Sequence, residues 1–118
     1  MLAVAAYDSG SSPLRPAVFS NYGSWVDVCA PGVGVVSTFA TFPSDPKGAR
    51  KDQPVFRGWA SWDGTSFAAP QVAAALARLV KNGAAPREAV TLFLEKECSF
   101  EPALADHGLV YRPRVQVT

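Results

Sequence analysis

A serine at the start of a predicted helix is the residue of this chain best suited to chemistry. The heptapeptide Gly64-Thr65-Ser66-Phe67-Ala68-Ala69-Pro70 is followed at once by the apolar run 72–80. Thr65 and Ser66 are natural helix-start residues, and a proline fits a helix only near its first turn, so we expect the helix to begin at or beside Ser66. There the hydroxyl lies beside unpaired backbone N–H groups and the positive end of the helix dipole, which favour developing negative charge. This position suits a nucleophile.

The same residues have a purely structural interpretation. Serine and threonine begin helices in proteins of every class, because their side-chain oxygens accept backbone N–H groups at the cap. Gly64 has no side chain, which permits a sharp turn and the close approach of a substrate backbone. The pattern alone therefore predicts either a helix cap or a serine nucleophile.

Three segments together resemble one enzyme family. Gly-Thr-Ser-x-Ala-x-Pro at 64–70 is similar to the nucleophile motif of the subtilisin-like serine proteases. Phe-Ser-Asn-Tyr-Gly at 19–23 and Val-Asp-Val-Cys-Ala-Pro-Gly-Val-Gly-Val-Val-Ser-Thr at 26–38 are similar to a second block of that family, and residues 1–8 resemble the strand before it. Three blocks in the family's order are far more specific than one short motif. The chain is identified as a member of this family.

The resemblance carries expectations for fold and function. It implies an α/β fold, the C-terminal part of a three-layer α/β/α subtilisin-like domain with a mainly parallel sheet. It implies a serine endopeptidase that hydrolyses peptide bonds through an acyl-enzyme on Ser66, with Gly64 and Thr65 binding the polypeptide substrate. It also suggests a secreted or extracellular protein.

The base that a serine nucleophile needs is not identified in this sequence. In the family the triad runs Asp, His, Ser along the chain. The Asp and His motifs, and the Asn of the oxyanion hole, lie upstream of the segment that residues 1–8 resemble. The single histidine, His107, follows the serine and lies in a segment that resembles a structural strand. We therefore expect His107 to be structural. Asp8-Ser9-Gly10 follows a predicted strand and is expected to be a turn.

Residues 1–118 are accordingly expected to form the C-terminal portion of a subtilisin-like peptidase domain, inactive alone. A missing N-terminal portion or a complementing chain would supply Asp, His and Asn. The alternatives are a non-catalytic truncated product or binding module with the same scaffold, and one half of a split protease. The reading frame before Met1 would distinguish them.

Composition and charge exclude several other classes. With 48% hydrophobic and 18% charged residues, the 118-residue chain is one globular domain or part of one. A net charge of +1 gives no field that would attract nucleic acid or an anionic membrane. The apolar run 72–79 is far shorter than a membrane span, and Met1 does not open a targeting segment. Cys29 and Cys98 are too few for a metal site or a disulfide framework, so we expect two buried thiols, no metal and no cofactor.

Apolar runs and turn residues predict the elements that must position Ser66. Buried strands are predicted at 2–7, 26–30 and 33–39, and an exposed loop at 43–58. Trp59 and Trp62 suit a β-ribbon or the wall of a substrate groove, or they simply pack the loop onto the body.

Two helices follow in the pattern. The first is apolar on nearly all sides, which predicts a core helix that other layers must cover. We expect strands from upstream to bury its Val72, Leu76 and Leu79. It ends at Lys81-Asn82-Gly83. A second, amphipathic helix runs from Pro86 to near Glu97.

Two residues beside the motif depart from the family pattern. Asp63 stands where the family often has Ser or Asn; its carboxylate would either raise the pKa of a nearby imidazole or remain a solvated loop group. Gln71 stands where a histidine often follows the proline of the motif. We do not expect Gln71 to take part in bond breaking.

Overall fold

The structure is a computed structural model that describes residues 1–41 and 56–114. Its elements, in chain order, are β1 (Val4–Asp8), β2 (Arg15–Pro16), β3 (Val28–Pro31), β4 (Val35–Thr38), β5 (Trp59–Trp62), α1 (Thr65–Lys81), α2 (Pro86–Leu92) with a π-helical turn (Phe93–Glu97), β6 (Cys98–Ser99), a 3₁₀ helix (Pro102–His107) and β7 (Leu109–Tyr111). A five-stranded sheet has the order β2-β1-β3-β7-β6. Its three central strands are parallel, and the short edge strands β2 and β6 are antiparallel. The predicted α/β class with a mainly parallel sheet is confirmed.

The central strands are buried on both faces, which explains why they are continuous apolar runs. One face packs against α1 and Phe93 through the buried side chains of Ala6, Val28, Ala30 and Tyr111. The other face packs against Leu104 of the 3₁₀ helix through Ala5, Tyr7, Cys29 and Val110. Helices therefore cover one face, and the 3₁₀ helix with neighbouring loop residues covers the other.

The strands differ from the sequence expectation in extent and in partner. The runs at 2–7 and 26–30 become strands only from Val4 and Val28, because the segments before them make loop contacts, such as the 2.7 Å bond from the Ala3 N–H to the Asp27 carboxylate. The run at 33–39 yields β4, which leaves the parallel sheet and pairs antiparallel with β5 in a separate ribbon. The β-ribbon interpretation of Trp59 and Trp62 is confirmed. Most of the loop predicted at 43–58 lies outside the described residues.

The predicted limits of both helices are confirmed. At the end of α1 the Gly83 N–H donates to the Val80 carbonyl at 3.0 Å and the Ala84 N–H to the Leu79 carbonyl at 3.2 Å, a double hydrogen bond that stops the helix. The second helical segment continues as a π-helical turn to Glu97. Phe93 is fully buried there, with its ring centroid 4.9 Å from that of Tyr111.

α1 is covered on one side only by the described part of the chain. Val72 is 2% exposed because the chain's own sheet packs on it, and Leu76 and Leu79 are half-buried against the same core. The opposite side, which carries Ala69, Ala73, Ala77 and Val80, is exposed. The expectation that upstream strands bury Val72, Leu76 and Leu79 is therefore wrong for Val72, which the chain's own sheet covers, and Leu76 and Leu79 are already half-buried within residues 1–41 and 56–114.

We expect the isolated chain to self-associate. Val36, Trp59 and Trp62 on the ribbon are between 56% and 66% exposed, and Val80 on α1 is 42% exposed; water-exposed apolar surface of this kind favours association. Sedimentation velocity should show a mean mass that rises with protein concentration. A monomer at every concentration, with one cooperative unfolding transition and slowly exchanging amides through 72–80, would contradict this and would favour the binding-module alternative.

Candidate active site

Ser66 is the second residue of α1, and its side chain is exposed. The helix is N-capped by Gly64, whose backbone N–H donates to the Gly32 carbonyl at 2.8 Å, directly after β3. α1 therefore begins at the carboxyl end of a central parallel strand, the edge at which α/β sheets place their ligands. The expected helix start at or beside Ser66 is confirmed.

The first turn of α1 leaves two backbone donors free. The Phe67 N–H donates back to the Gly64 carbonyl at 3.0 Å. The N–H groups of Thr65 and Ser66 have no acceptor in the described part of the chain. Both lie at the positive end of a 17-residue helix, so together they can stabilise an oxyanion beside the Ser66 hydroxyl.

Pro70 does not lie in the first turn as expected. It is the sixth residue of α1, beyond the first four N–H positions, where a missing N–H leaves no gap in the helix. Because proline has no N–H, the Ser66 carbonyl loses the bond that residue 70 would otherwise donate. The first turns of α1 therefore lack this one hydrogen bond of the helical ladder.

Three hydrogen bonds tie the segment around Ser66, residues 63–71, to the end of β3 and to the turn that follows it. Besides the Gly64 bond, the Asp63 Oδ1 accepts the Gly34 N–H at 2.6 Å. The Gln71 Nε2 donates to the Pro31 carbonyl at 2.8 Å and to the Phe67 carbonyl at 2.8 Å. Asp63 is thus a backbone acceptor rather than a freely solvated group.

The bridging role of Gln71 was not predicted from the sequence. The available signal was its position, since Gln71 and Arg78 are the only polar residues in the apolar run of the helix. A half-buried amide in such a run requires a hydrogen-bond partner. The choice of carbonyl depends on how the turn after β3 folds. The sequence pattern therefore does not predict this hydrogen bond.

Gly32 allows the segment around Ser66 to approach the sheet closely. A Cβ atom on Gly32 would lie 2.5 Å from the Ala6 Cβ and 3.0 Å from the Gly64 carbonyl oxygen. Gly64 itself has φ +153°, a backbone conformation that side-chain-bearing residues rarely adopt. Glycine at both positions brings Ser66 against the end of β3.

His107 lies near the amino ends of the central parallel strands, whereas Ser66 lies at their carboxyl ends. The Leu109 N–H donates to the Asp27 carbonyl at 3.1 Å, so His107 lies near the start of β3, whereas the Ser66 loop contacts Gly32 after its end. Asp27 and Gly32 are five positions apart along the chain, about 16 Å at the rise of a strand. This is far beyond the reach of about 3 Å that proton transfer requires. His107 is instead buried, with its ring centroid 5.8 Å from that of Tyr22.

Both cysteines are free thiols. Burial raises the pKa of Cys29 from 9.0 to about 12, with the neighbouring Cys98 a smaller cause. The pKa of Cys98 is also raised, to about 11; burial is the larger cause, and the nearby negative charge of Glu97 is the smaller one. The expectation of free thiols is met, but burial is as expected only for Cys29, because Cys98 is half-buried.

We expect the chain to lose stability in alkali. The unfolded thiols ionise near their ordinary pKa of 9.0, whereas the folded thiols of Cys29 and Cys98 stay protonated to about 12 and 11. The unfolded state therefore binds fewer protons above pH 9, and each such group lowers the free energy of unfolding by about 1.4 kcal/mol per pH unit. Urea unfolding followed upward from pH 9 measures this, and the slope should be shallower in Cys29→Ala. A free energy of unfolding that stays constant above pH 9 would contradict it.

Comparison with known proteins decides the family. The sequence model of the Subtilase family matches residues 1–97, a range that contains all three resembling segments and Ser66. The chain belongs to the subtilase family. The resemblance found in the sequence is thereby confirmed.

Individual subtilases match the same region. The thermophilic serine proteinase of Bacillus sp. strain AK1 is 42% identical over 83 residues, which cover 70% of this chain and 16% of that protein. The extracellular protease of Xanthomonas campestris pv. campestris is 36% identical over 65% of this chain and 11% of its own length. The crystal structure of fervidolysin from Fervidobacterium pennivorans, a keratinolytic enzyme related to subtilisin, superposes with a TM-score of 0.67 at 28% identity, covering 95% of this chain and 18% of that chain. The chain thus spans less than a fifth of the length of each of these subtilases.

No three His, Cys, Asp or Glu side chains in ranges 1–41 and 56–114 are grouped as they would be around a metal ion. In the same ranges, no helix has the length and apolar character to cross a membrane.

Proposed function

We propose that this chain carries the nucleophile of a serine endopeptidase. The observation that supports it most directly is the position of Ser66, exposed at the second residue of α1 beside two free backbone N–H groups. A hydroxyl there can attack a carbonyl carbon while the adjacent amides receive the negative charge.

The reaction follows from that position. Ser66 Oγ forms a bond to the peptide carbonyl carbon as its proton passes to a base, and the Ser66 N–H donates to the oxyanion. The C–N bond then breaks, the leaving amine takes the proton, and an ester on Ser66 remains. Water hydrolyses this ester and restores the hydroxyl. Gly64 and Thr65 line the path of the polypeptide, where the absent side chain of Gly64 admits the substrate backbone.

The base comes from outside these 118 residues. The sequence contains one histidine, His107, and the sheet separates it from Ser66. We propose that the Asp, His and oxyanion Asn are supplied by an N-terminal subtilase portion, either in one polypeptide with this chain or in a complementing chain. The small share of each relative that this chain matches supports this proposal.

We also propose that the protein acts outside the cell. One relative is named an extracellular protease, and a polypeptide-cleaving enzyme of this family would find its substrates there. Fractionation of the native host tests this: immunoreactive protein should be recovered from the culture medium rather than from washed cells.

Covalent labelling tests the assignment of Ser66. The chain is incubated with a fluorophosphonate probe, alone and with the corresponding N-terminal portion of the Bacillus relative, and the modified peptide is identified by mass spectrometry. We expect labelling on Ser66 only in the mixture, its loss in Ser66→Ala, and its retention in Ser61→Ala, which removes another exposed hydroxyl. Strong labelling of the chain alone that disappears in His107→Ala would contradict the proposed source of the base.

A further inference from the structure

A groove of about 510 Å³ runs between α1, the π-helical turn and the segment after β7. Its apolar lining comes from Ala74 and Ala75 of α1 and from Tyr111 and Pro113. Such a lining accommodates the aliphatic parts of a peptide.

Positive charge is concentrated in this groove. Four of the eleven Lys and Arg residues of the chain line it, but only one of the ten Asp and Glu residues does. The four cations are Arg78, Lys96, Arg112 and Arg114. The whole chain has a net charge of only +1, so this local excess is a property of the groove.

Two of these cations form ion pairs or hydrogen bonds with other side chains, and two are available to a ligand. One guanidinium nitrogen of Arg78, Nη2, donates to both carboxylate oxygens of Glu97, at 2.7 and 2.6 Å. Arg112 donates to Ser99 Oγ at 2.7 Å and, more weakly, to Glu101 at 3.4 Å. Lys96 and Arg114 have no hydrogen bond or ion pair with any other described residue.

The groove continues toward the carboxyl ends of the parallel strands, where Ser66 lies. Gln71, Arg112 and Pro113 also line a second cavity of about 400 Å³, which reaches Pro31 at the end of β3. The Pro31 carbonyl accepts the hydrogen bond that Gln71 donates, close to the segment around Ser66. An extended chain in the groove would therefore run toward the reacting edge.

We propose that this groove binds an acidic stretch of polypeptide. The cations attract carboxylates, and the bidentate geometry of Arg suits them. A nucleic acid fits the surface less well, because its evenly spaced charges would continue past the groove onto a chain with little net charge. That the bound polypeptide is a substrate rests on the proposed protease function, but the binding itself does not require catalysis.

Fluorescence anisotropy with labelled hexaglutamate and hexaglutamine peptides tests the binding. We expect this chain to bind hexaglutamate more tightly, with an affinity that falls as salt is added. Exchange of both free cations, Lys96→Gln with Arg114→Gln, should weaken binding about tenfold, since each exposed charge pair contributes up to about fivefold. Arg15→Gln removes one exposed cation from β2, at the other end of the sheet, and should leave binding unchanged.

Removal of a negative charge from the groove distinguishes an effect on peptide binding from damage to the fold, because it should raise the affinity. Glu97→Gln removes the single acid of the groove and releases Arg78, so hexaglutamate should bind more tightly. Equal affinity for both peptides, or equal losses in the Arg15 and the Lys96 and Arg114 variants, would overturn the proposal. A single-stranded oligonucleotide of the same charge that binds more tightly than hexaglutamate would overturn the assignment to polypeptide. Since none of these measurements uses hydrolysis, an inactive Ser66 would leave them unaffected.

Discussion

Peptide hydrolysis by this chain alone is expected to be about a millionfold slower than hydrolysis by the completed domain. The reason is that a serine hydroxyl is a weak nucleophile without a base. The magnitude is that of subtilisin, a member of the same family, in which loss of the histidine alone lowers turnover by about 2 × 10⁶. Turnover of a chromogenic peptide, measured before and after the N-terminal portion of a relative is added, provides the comparison.

Two variants identify the groups responsible for this gain. Ser66→Ala should remove the activity of the completed domain, because no other group takes over the attack. His107→Ala should leave it nearly unchanged, because His107 packs near Tyr22 at the far edge of the sheet. Activity of the isolated chain comparable to that of the mixture would refute the proposal that the base comes from outside these residues.

Unfolding of most of the chain is the expected result of Gly108→Ala. Gly108 has φ +75°, and a Cβ atom there would lie between 2.5 and 2.6 Å from three backbone atoms of Asp27 and Val28. Backbone cannot move aside as a flexible side chain does, so β7 must separate from β3. We expect a loss of more than about 3 kcal/mol in the free energy of unfolding, a large part of the total for a domain of this size.

Gly34→Ala is the matched control for this substitution. Gly34 also has positive φ, +62°, but a Cβ atom there would have no neighbour within 4 Å. The expected loss is about 1 kcal/mol, from the left-handed backbone conformation alone. Urea unfolding of the two variants measures the difference. Similar losses in both would show that backbone conformation, rather than the contact with β3, dominates at Gly108.

Local signals in the sequence predicted the start and the end of α1. Gly64-Thr65-Ser66 marked the N-terminus, and Asn82-Gly83 marked the C-terminus, because caps depend on neighbouring residues only. β2 was not predicted, because two residues, Arg15 and Pro16, carry no periodic pattern. β4 was predicted as a strand but not as part of the ribbon, since the pairing partner of a strand is a tertiary choice.

The candidate site divides in the same way. Ser66 with Gly64 and Thr65 form a contiguous motif, so the sequence predicted them together. The ties from Asp63 to Gly34 and from Gln71 to Pro31 join segments about 30 to 40 residues apart, and their partners depend on how the turn after β3 folds. Because a triad is assembled from distant parts of a chain, the segment around Ser66 alone does not reveal the base proposed for it.

The pairing of β7 with its neighbours places the two cysteines on opposite faces of the sheet. Cys29 lies opposite Val110, and Cys98 lies opposite Tyr111, the next residue of the same strand; successive side chains of a strand point to opposite faces. An oxidant therefore cannot join them within one molecule unless β7 is displaced, because the Cβ vectors of a disulfide must converge. In an oxidising medium this chain would gain no internal cross-link, and the half-buried Cys98 would be the sulfur that links one molecule to another.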